Sequence, residues 1–210
     1  MARSEDIKTP KAIIAFAQAA FEPQERENGK KQYAPSLLFK KGADLSALKK
    51  IAADAAIAEW GDKAIQWIKD EVIKSPFLDG DGKQAVSKKT GERHPGFAGH
   101  TFIRCVSGAD YPPKIFGRNA VSRITDKNDM PSGSEVYAVV NAFTWENDSN
   151  GKGISFGVSI IQLVKKAEGD EVLGGGGGGP DPDKFLEKLA DEGDAPAETK
   201  SGAGAGGLFG

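Results

Sequence analysis

The sequence predicts a mainly β, α+β fold: a small Greek-key barrel with one helical insertion, followed by a disordered tail. Short apolar runs with two-residue alternation recur through residues 1–173, and one alanine-rich stretch among them has the three- and four-residue spacing of a helix. Beyond them, six consecutive glycines at 174–179 precede a segment too poor in apolar residues to repay the entropy of ordering. A barrel closes its sheet and leaves no exposed edge, although periodicity by itself also allows a sandwich. The 210 residues, 39% of them hydrophobic, suffice for one core. The expected organisation is one domain over 1–173 and a flexible, Gly-rich, acidic tail over 174–210.

Residues 10–21 and 33–39 read as the first two strands, with polar turn material at 23–31 between them. Asp44 then stands as an N-cap before Leu45, Leu48, Ile51, Ala52, Ala55 and Trp60, one apolar stripe on a helix that Gly61 interrupts. Ile65, Trp67, Ile68 and Val72 continue the helical spacing as far as Pro76, and Trp60 and Trp67 read as core anchors. Residues 77–99, rich in Gly, Asp, Lys and Pro, read as a long solvated connection suited to a mobile binding loop. A strand over 100–106 places Phe102, Arg104 and Val106 on one face, where Arg104 requires a partner or water. After a Pro- and Gly-rich crossing, residues 135–145 and 153–165 form a hairpin through Asn147, Asn150 and Gly151. On its second strand Phe156, Val158 and Ile160 are expected in the core, leaving Ser155, Gly157 and Ser159 as a flat, small face open to a flat ligand.

The formal net charge of −2 conceals an asymmetry. Residues 171–210 carry a net −5, the remainder +3, and residues 83–127 alone hold nine bases against three acids. A basic domain joined to an acidic tail suits a polyanion partner, because each Lys or Arg that neutralises a phosphate adds affinity. One cysteine, Cys105, excludes an internal disulfide framework, and with two histidines no ordinary Cys/His zinc site can be assembled. No metal or other cofactor is expected. The absence of a long apolar run and of an apolar signal region argues against a membrane or export, so a cytoplasmic protein is expected.

Enzymatic motifs fail on context. Gly153, Ile154, Ser155, Phe156, Gly157 satisfies the GxSxG pattern, but β-branched strand continues past it and both histidines precede it, whereas a nucleophile elbow needs a helix next and a later His. Asp79, Gly80, Asp81, Gly82 lacks the later ligands of a calcium loop and reads as a turn. No GxxxxGK segment is present.

What remains is an interleaving of cations and aromatics that suits single-stranded nucleic acid, with bases stacking on rings and Lys or Arg tracking phosphates. Arg104, Lys114, Arg118, Arg123 and Lys152 are the expected phosphate contacts, and Tyr111, Phe116 and Trp145 the expected stacking platforms. Tyr137, Phe143 and Trp145 share one strand face, which is either groove or core.

In this setting the chain resembles the phage single-stranded DNA-binding proteins with an OB fold, over most of residues 9–198. The resemblance rests on Phe21, Glu22, Pro23 closing the first strand, on YAPSLLFK at 33–40, and on Glu59, Trp60, Gly61 ending the alanine-rich helix. It rests further on Phe97, Ala98, Gly99, His100 entering a strand and, most specifically, on GKGISFGVSIIQL at 151–163. It implies a non-enzymatic, OB-fold-like protein that binds single-stranded DNA without sequence preference during phage replication, recombination and repair, in the host cytoplasm on replicating DNA. It also implies a tail that contacts replication or recombination proteins and competes with DNA. Phe185, Leu186 and Leu189 are the tail's candidate docking residues. The last ten residues carry no charge and the helix follows the second strand, two departures from the commonest pattern. A homodimer is left open. The alternative is a phage protein-interaction or virion-associated module whose basic face meets an acidic protein.

Overall fold

The apolar runs close into a barrel because each finds a neighbour of matching length. The computed structural model describes residues 1–26 and 29–174. The expectations for Phe185, Leu186, Leu189 and the rest of the acidic segment lie outside the described residues. β1 (Ala12–Ala15) pairs antiparallel with β2 (Ser36–Lys40), Ile13 lying opposite Leu38. β2 pairs antiparallel with β3 (His100–Gly108), Ser36 lying opposite Arg104. β4 (Glu135–Asn147) and β5 (Gly151–Lys165) form the expected hairpin. β4 returns to β1 through Val136 opposite Ala12, and β5 meets β3 in parallel through Phe156 opposite Cys105. A parallel neighbour cannot be reached by a tight turn, so the chain from 109 to 150, β4 included, serves as the crossover. The ring β1–β2–β3–β5–β4–β1 is a closed Greek-key barrel of the OB type.

Among the described residues, three α-helices accompany it. α1 (Gln18–Phe21) is a single turn within the region expected to be all strand. The strand stops at Ala15 because Phe16 adopts a left-handed backbone, φ 54°, which turns the chain and lets Ala19 and Ala20 bury on the helical turn. α2 (Ser46–Trp60) buries Leu48, Ile51, Ala52, Ala55 and Ala56 against the barrel interior. Asp44 Oδ1 accepts a hydrogen bond from Ser46 N–H at 2.9 Å, satisfying a donor of the first turn. α3 (Lys63–Lys69) follows, and Trp60 and Trp67 pack half-buried against the core as anchors. No helix among the described residues is long and apolar enough to cross a membrane.

The face of β4 left open by periodicity turns out small side inward: Val136, Ala138, Val140, Ala142 and Thr144 are buried, while Tyr137, Phe143 and Trp145 lie half-exposed outside. Core volume comes instead from Phe156, Phe39, Ile14, Leu37 and the α2 stripe. On β5, Phe156 and Val158 enter the core as expected but Ile160 does not. The register slips by one residue there, Val139 facing Ile160 and Val140 facing Val158. The bulge resets the alternation, so Ile161 and Leu163 take the inward positions.

The flat, small face of β5 is not open to a ligand either. Trp145 lies across Gly153, where an added Cβ would stand 2.3 Å from the indole ring, and its N–H donates to Ser155 Oγ at 3.0 Å. Asn141 covers Gly157 in the same way, held by Arg3 and Asp6. The glycines and serines there make room for the cross-strand partners.

Residues 77–99 are also tied down more firmly than a solvated connection. Phe77–Asp79 pairs with β3, Lys41 bridges Asp79 and Asp81 at 3.1 and 2.7 Å, and Arg93 Nη2 donates to the Asp81 carbonyl. The Asp-Gly pair at 79–82 forms the expected turn, Gly82 N–H donating to the Asp79 carbonyl. Gly80 is required where it stands, since a Cβ would approach the Phe97 carbonyl to 1.9 Å.

Candidate nucleic-acid interface

Closing β1, β2 and β3 side by side brings three separated segments to one outer face. Ser36 and Arg104, paired across β2 and β3, form part of the floor of a cleft of about 980 Å³. One wall is the turn after β1, with Phe16, Gln18 and Ala19; a second carries Gln24, Glu25 and Arg26; a third is the tied-down loop with Lys83, Gln84, Lys88, His94 and Phe97. The lining thus holds four cations, Arg26, Lys83, Lys88 and Arg104, against the single carboxylate of Glu25.

The aromatic part is built as a chain of edge-on and tilted ring contacts. Phe102, under the loop on β3, meets Phe97 at 4.8 Å between centroids, and Phe97 in turn meets His94 at 5.5 Å and Phe16 at 5.7 Å. His94 and Phe16 stand perpendicular at 5.0 Å. Phe16 is 44% exposed, a large apolar ring held out by a backbone conformation that non-glycine residues avoid. Such strain costs on the order of 1–3 kcal/mol and persists only where the surroundings enforce it. Ala17 N–H donating to Ser132 Oγ and Ala19 N–H donating to the Phe16 carbonyl are those surroundings.

Arg104 has the partner its strand position required: Nη2 donates to the Gln84 carbonyl at 2.9 Å, and the guanidinium lies 5.8 Å from the Phe102 centroid. Burial first, and the neighbouring Arg26 second, hold its pKa below the ordinary arginine value, yet arginine stays charged. Burial and the Arg104 charge likewise push the His94 pKa down, so the imidazole is neutral at pH 7 and presents a ring rather than a cation. Cations that outnumber the single Glu25 carboxylate along the lining set the electrostatic condition that an incoming anion relieves. Cys105, on the inner side of β3, is fully buried and its thiol is pushed up to about 12, so it offers no nucleophile.

Of the eight binding residues expected from the sequence, Arg104 lies in this cleft. Tyr111, Lys114, Phe116, Arg118 and Arg123 gather outside it, on the chain between β3 and β4. Trp145 and Lys152 also lie away from the cleft. Both sit near the tip of the β4–β5 hairpin, with Trp145 closed down on Gly153. The Lys152 ammonium is 3.2 Å from Glu146 and 4.5 Å from the Trp67 centroid, and its side chain is 22% exposed. An ion pair and an aromatic face already satisfy that charge.

Phe16, Arg26 and His94 were not singled out by sequence. A left-handed phenylalanine has no signature in composition, and Arg26 belongs to ordinary turn material. The basic stretch 83–127 includes Lys83 and Lys88, and the composition of 77–99 suits a binding loop, so the sequence carries a partial signal.

The fold and cleft can be set beside known proteins. The family model described as "Enterobacter phage Enc34, ssDNA-binding protein" matches residues 5–195. Among solved structures, the single-stranded DNA-binding protein from bacteriophage Enc34 in complex with ssDNA superposes with a TM-score of 0.53 at 17% identity, covering 78% of this chain and 88% of that one. A C-terminal truncation of the same protein gives 0.53 at 19% identity, with 78% and 87% covered. The single-stranded DNA binding protein gp2.5 encoded by bacteriophage T7 gives 0.53 at 12% identity, with 92% and 100% covered. At such identities the likeness is one of fold. No curated protein sequence matches the chain.

Proposed function

The chain belongs to the Enc34 single-stranded DNA-binding protein family, and from that premise we propose that it binds single-stranded DNA in the β2–β3 cleft without regard to base sequence. The observation that carries this reading is the joining of four cations to an exposed, strained Phe16 on the second- and third-strand face, where OB barrels take oligonucleotides. Arg104, Arg26, Lys83 and Lys88 neutralise phosphates; Phe16, edge-braced by His94, offers its face to a base. Contacts to phosphates and ring faces require no base identity. The role is that of a non-enzymatic binder covering strands exposed in phage replication, recombination and repair, in the host cytoplasm. Titration with fluorescently labelled oligo-dT is expected to show affinity falling steeply with salt, log Kd changing by about 0.7 per neutralised phosphate per decade of salt. Absent or salt-independent binding, with capture of an acidic protein instead, points to the interaction-module alternative.

The same reading gives the tail a regulatory task. Leu173 and Gly174 line the cleft, so the acidic residues from Asp181 to Glu198 are tethered within a short reach of it. A tethered segment has an effective concentration on the order of millimolar, enough to compete with DNA for the same cations. Phe185, Leu186 and Leu189 then serve replication or recombination partners once DNA has displaced the tail. Truncation after Gly174 is expected to tighten oligo-dT binding several-fold at low salt; unchanged affinity contradicts the competition.

A further inference from the structure

Resting on the cleft as the DNA site, we propose that the bound strand continues out of it along the β3 line onto a second tract formed by Tyr111, Lys114, Phe116, Arg118 and Arg123. Side chains two apart on a strand share a face, so Arg104, Val106 and Gly108 look outward together. Tyr111 folds back over that face, its ring 3.5 Å from where a Gly108 Cβ would stand, and is 76% exposed. Along the strand, Arg104 and Gly108 stand four residues apart, about 13 Å.

The line does not end there. Lys114–Phe116 pairs in parallel with β5 at Ile160 to Gln162, just as β3 pairs with β5 at Phe156 and Gly157. The short strand therefore prolongs β3 along the same barrel wall, about 20 Å from the first pairing to the last. Ile115 is buried, which turns Lys114 and Phe116 outward. The Arg123 guanidinium sits 5.4 Å from the Phe116 centroid, and Arg118 is exposed just before a turn in which Asn119 Oδ1 accepts from Val121 N–H and Ser122 N–H.

Charge pairing separates this tract from its surroundings. Nearby Lys127 is paired with Glu22 and Lys166 with Asp129. Lys114, Arg118 and Arg123 are exposed and make no ion pair among the described residues. Three cations left open at one edge, with an exposed tyrosine between them and the cleft, match a phosphate backbone carrying unstacked bases. An acidic protein surface would use the cations and leave the tyrosine unexplained.

The test varies strand length. A variant carrying Lys114→Ser, Arg118→Ser and Arg123→Ser, all on exposed positions, is compared with the native chain on oligo-dT of about six and about twenty nucleotides, lengths within and beyond one OB site. The expected result is unchanged binding of the short strand, at least tenfold weaker binding of the long one, and a salt slope lower by about 2 on the long strand only. Equal binding of both lengths by variant and native chain, or equal loss on both, overturns the second tract. Arg104→Ala run in parallel keeps the two readings apart: if it too binds both lengths as the native chain does, the cleft reading fails, whereas loss on both lengths with the triple variant unaffected removes only the second tract. Melting temperature within about 2 °C of native confirms that each variant is folded.

Discussion

Replacing Arg104 by Ala together with Phe16 by Gly is expected to weaken single-stranded DNA binding roughly 100-fold or more while leaving the fold intact. A charge-assisted contact to phosphate contributes about 1.5–3 kcal/mol and a stacked base about 1–3 kcal/mol, and about 1.4 kcal/mol corresponds to each tenfold. Glycine is the informative replacement at position 16, because φ 54° costs it nothing. Relief of backbone strain offsets the lost packing on His94 and Phe97, so stability is expected to stay within about 1 kcal/mol of native. Each change is separately measurable: Arg104→Ala lowers the salt slope by about 0.7, and Phe16→Gly lowers affinity without touching the slope. A folded double variant whose affinity stays within twofold of native would show that the cleft is not where DNA lies. The His94 pKa adds a sign that can be checked. Anion binding beside Arg104 raises that depressed pKa, so affinity is expected to increase as pH falls below the ordinary histidine range of about 6.5.

Phe156→Ala is expected to cost about 3–5 kcal/mol of stability, a large share of the roughly 5–15 kcal/mol that holds a domain of this size. Phe156 is fully buried at the one place where β3 and β5 meet in parallel, opposite Cys105, with Ala142 across from it on β4. Its ring meets Phe77 edge-on at 5.6 Å. Its neighbours on the inner face of β4 are valines and alanines, too small to reach into the space it would leave. Urea denaturation followed by circular dichroism measures the loss directly. A cost below about 1 kcal/mol would mean that the barrel closure does not depend on this ring. The contrast with position 16 is diagnostic: one phenylalanine sustains the fold without touching the cleft, and the other shapes the cleft at a cost to the fold.

Local rules reached the parts of this protein that local rules control. The hairpin of β4 and β5 and the α2 stripe from Leu48 to Ala55 depend on neighbours within a few residues, and the chain wrote them legibly, whereas the N-cap falls on Leu45, one residue after the expected Asp44. The strand carrying Arg104 was also readable, with the need for a partner that Gln84 supplies. Alternation failed where one residue too many entered a strand, since nothing in the run from Val158 to Ile161 announces the bulge that turns Ile160 outward. Small residues on β5 suggest space for a ligand, because a single strand cannot reveal that Trp145 and Asn141 of its partner fill that space.

The expectation of a polyanionic partner rests on covalent facts: the imbalance of charge along the chain and the mixture of cations with aromatics hold in any conformation. The address of the site did not. Phe16, Arg26, Lys83, His94 and Arg104 are scattered over almost ninety residues and become neighbours only when β1, β2 and β3 pair and the 77–99 loop is tied across them. Lys152 shows the converse, a cation that spacing places beside aromatics and that the fold sets against Glu146 and Trp67, away from the cleft. Charge and periodicity are sums over the sequence, whereas which charge remains exposed is decided by burial and pairing between distant segments, and only the closed barrel sets those.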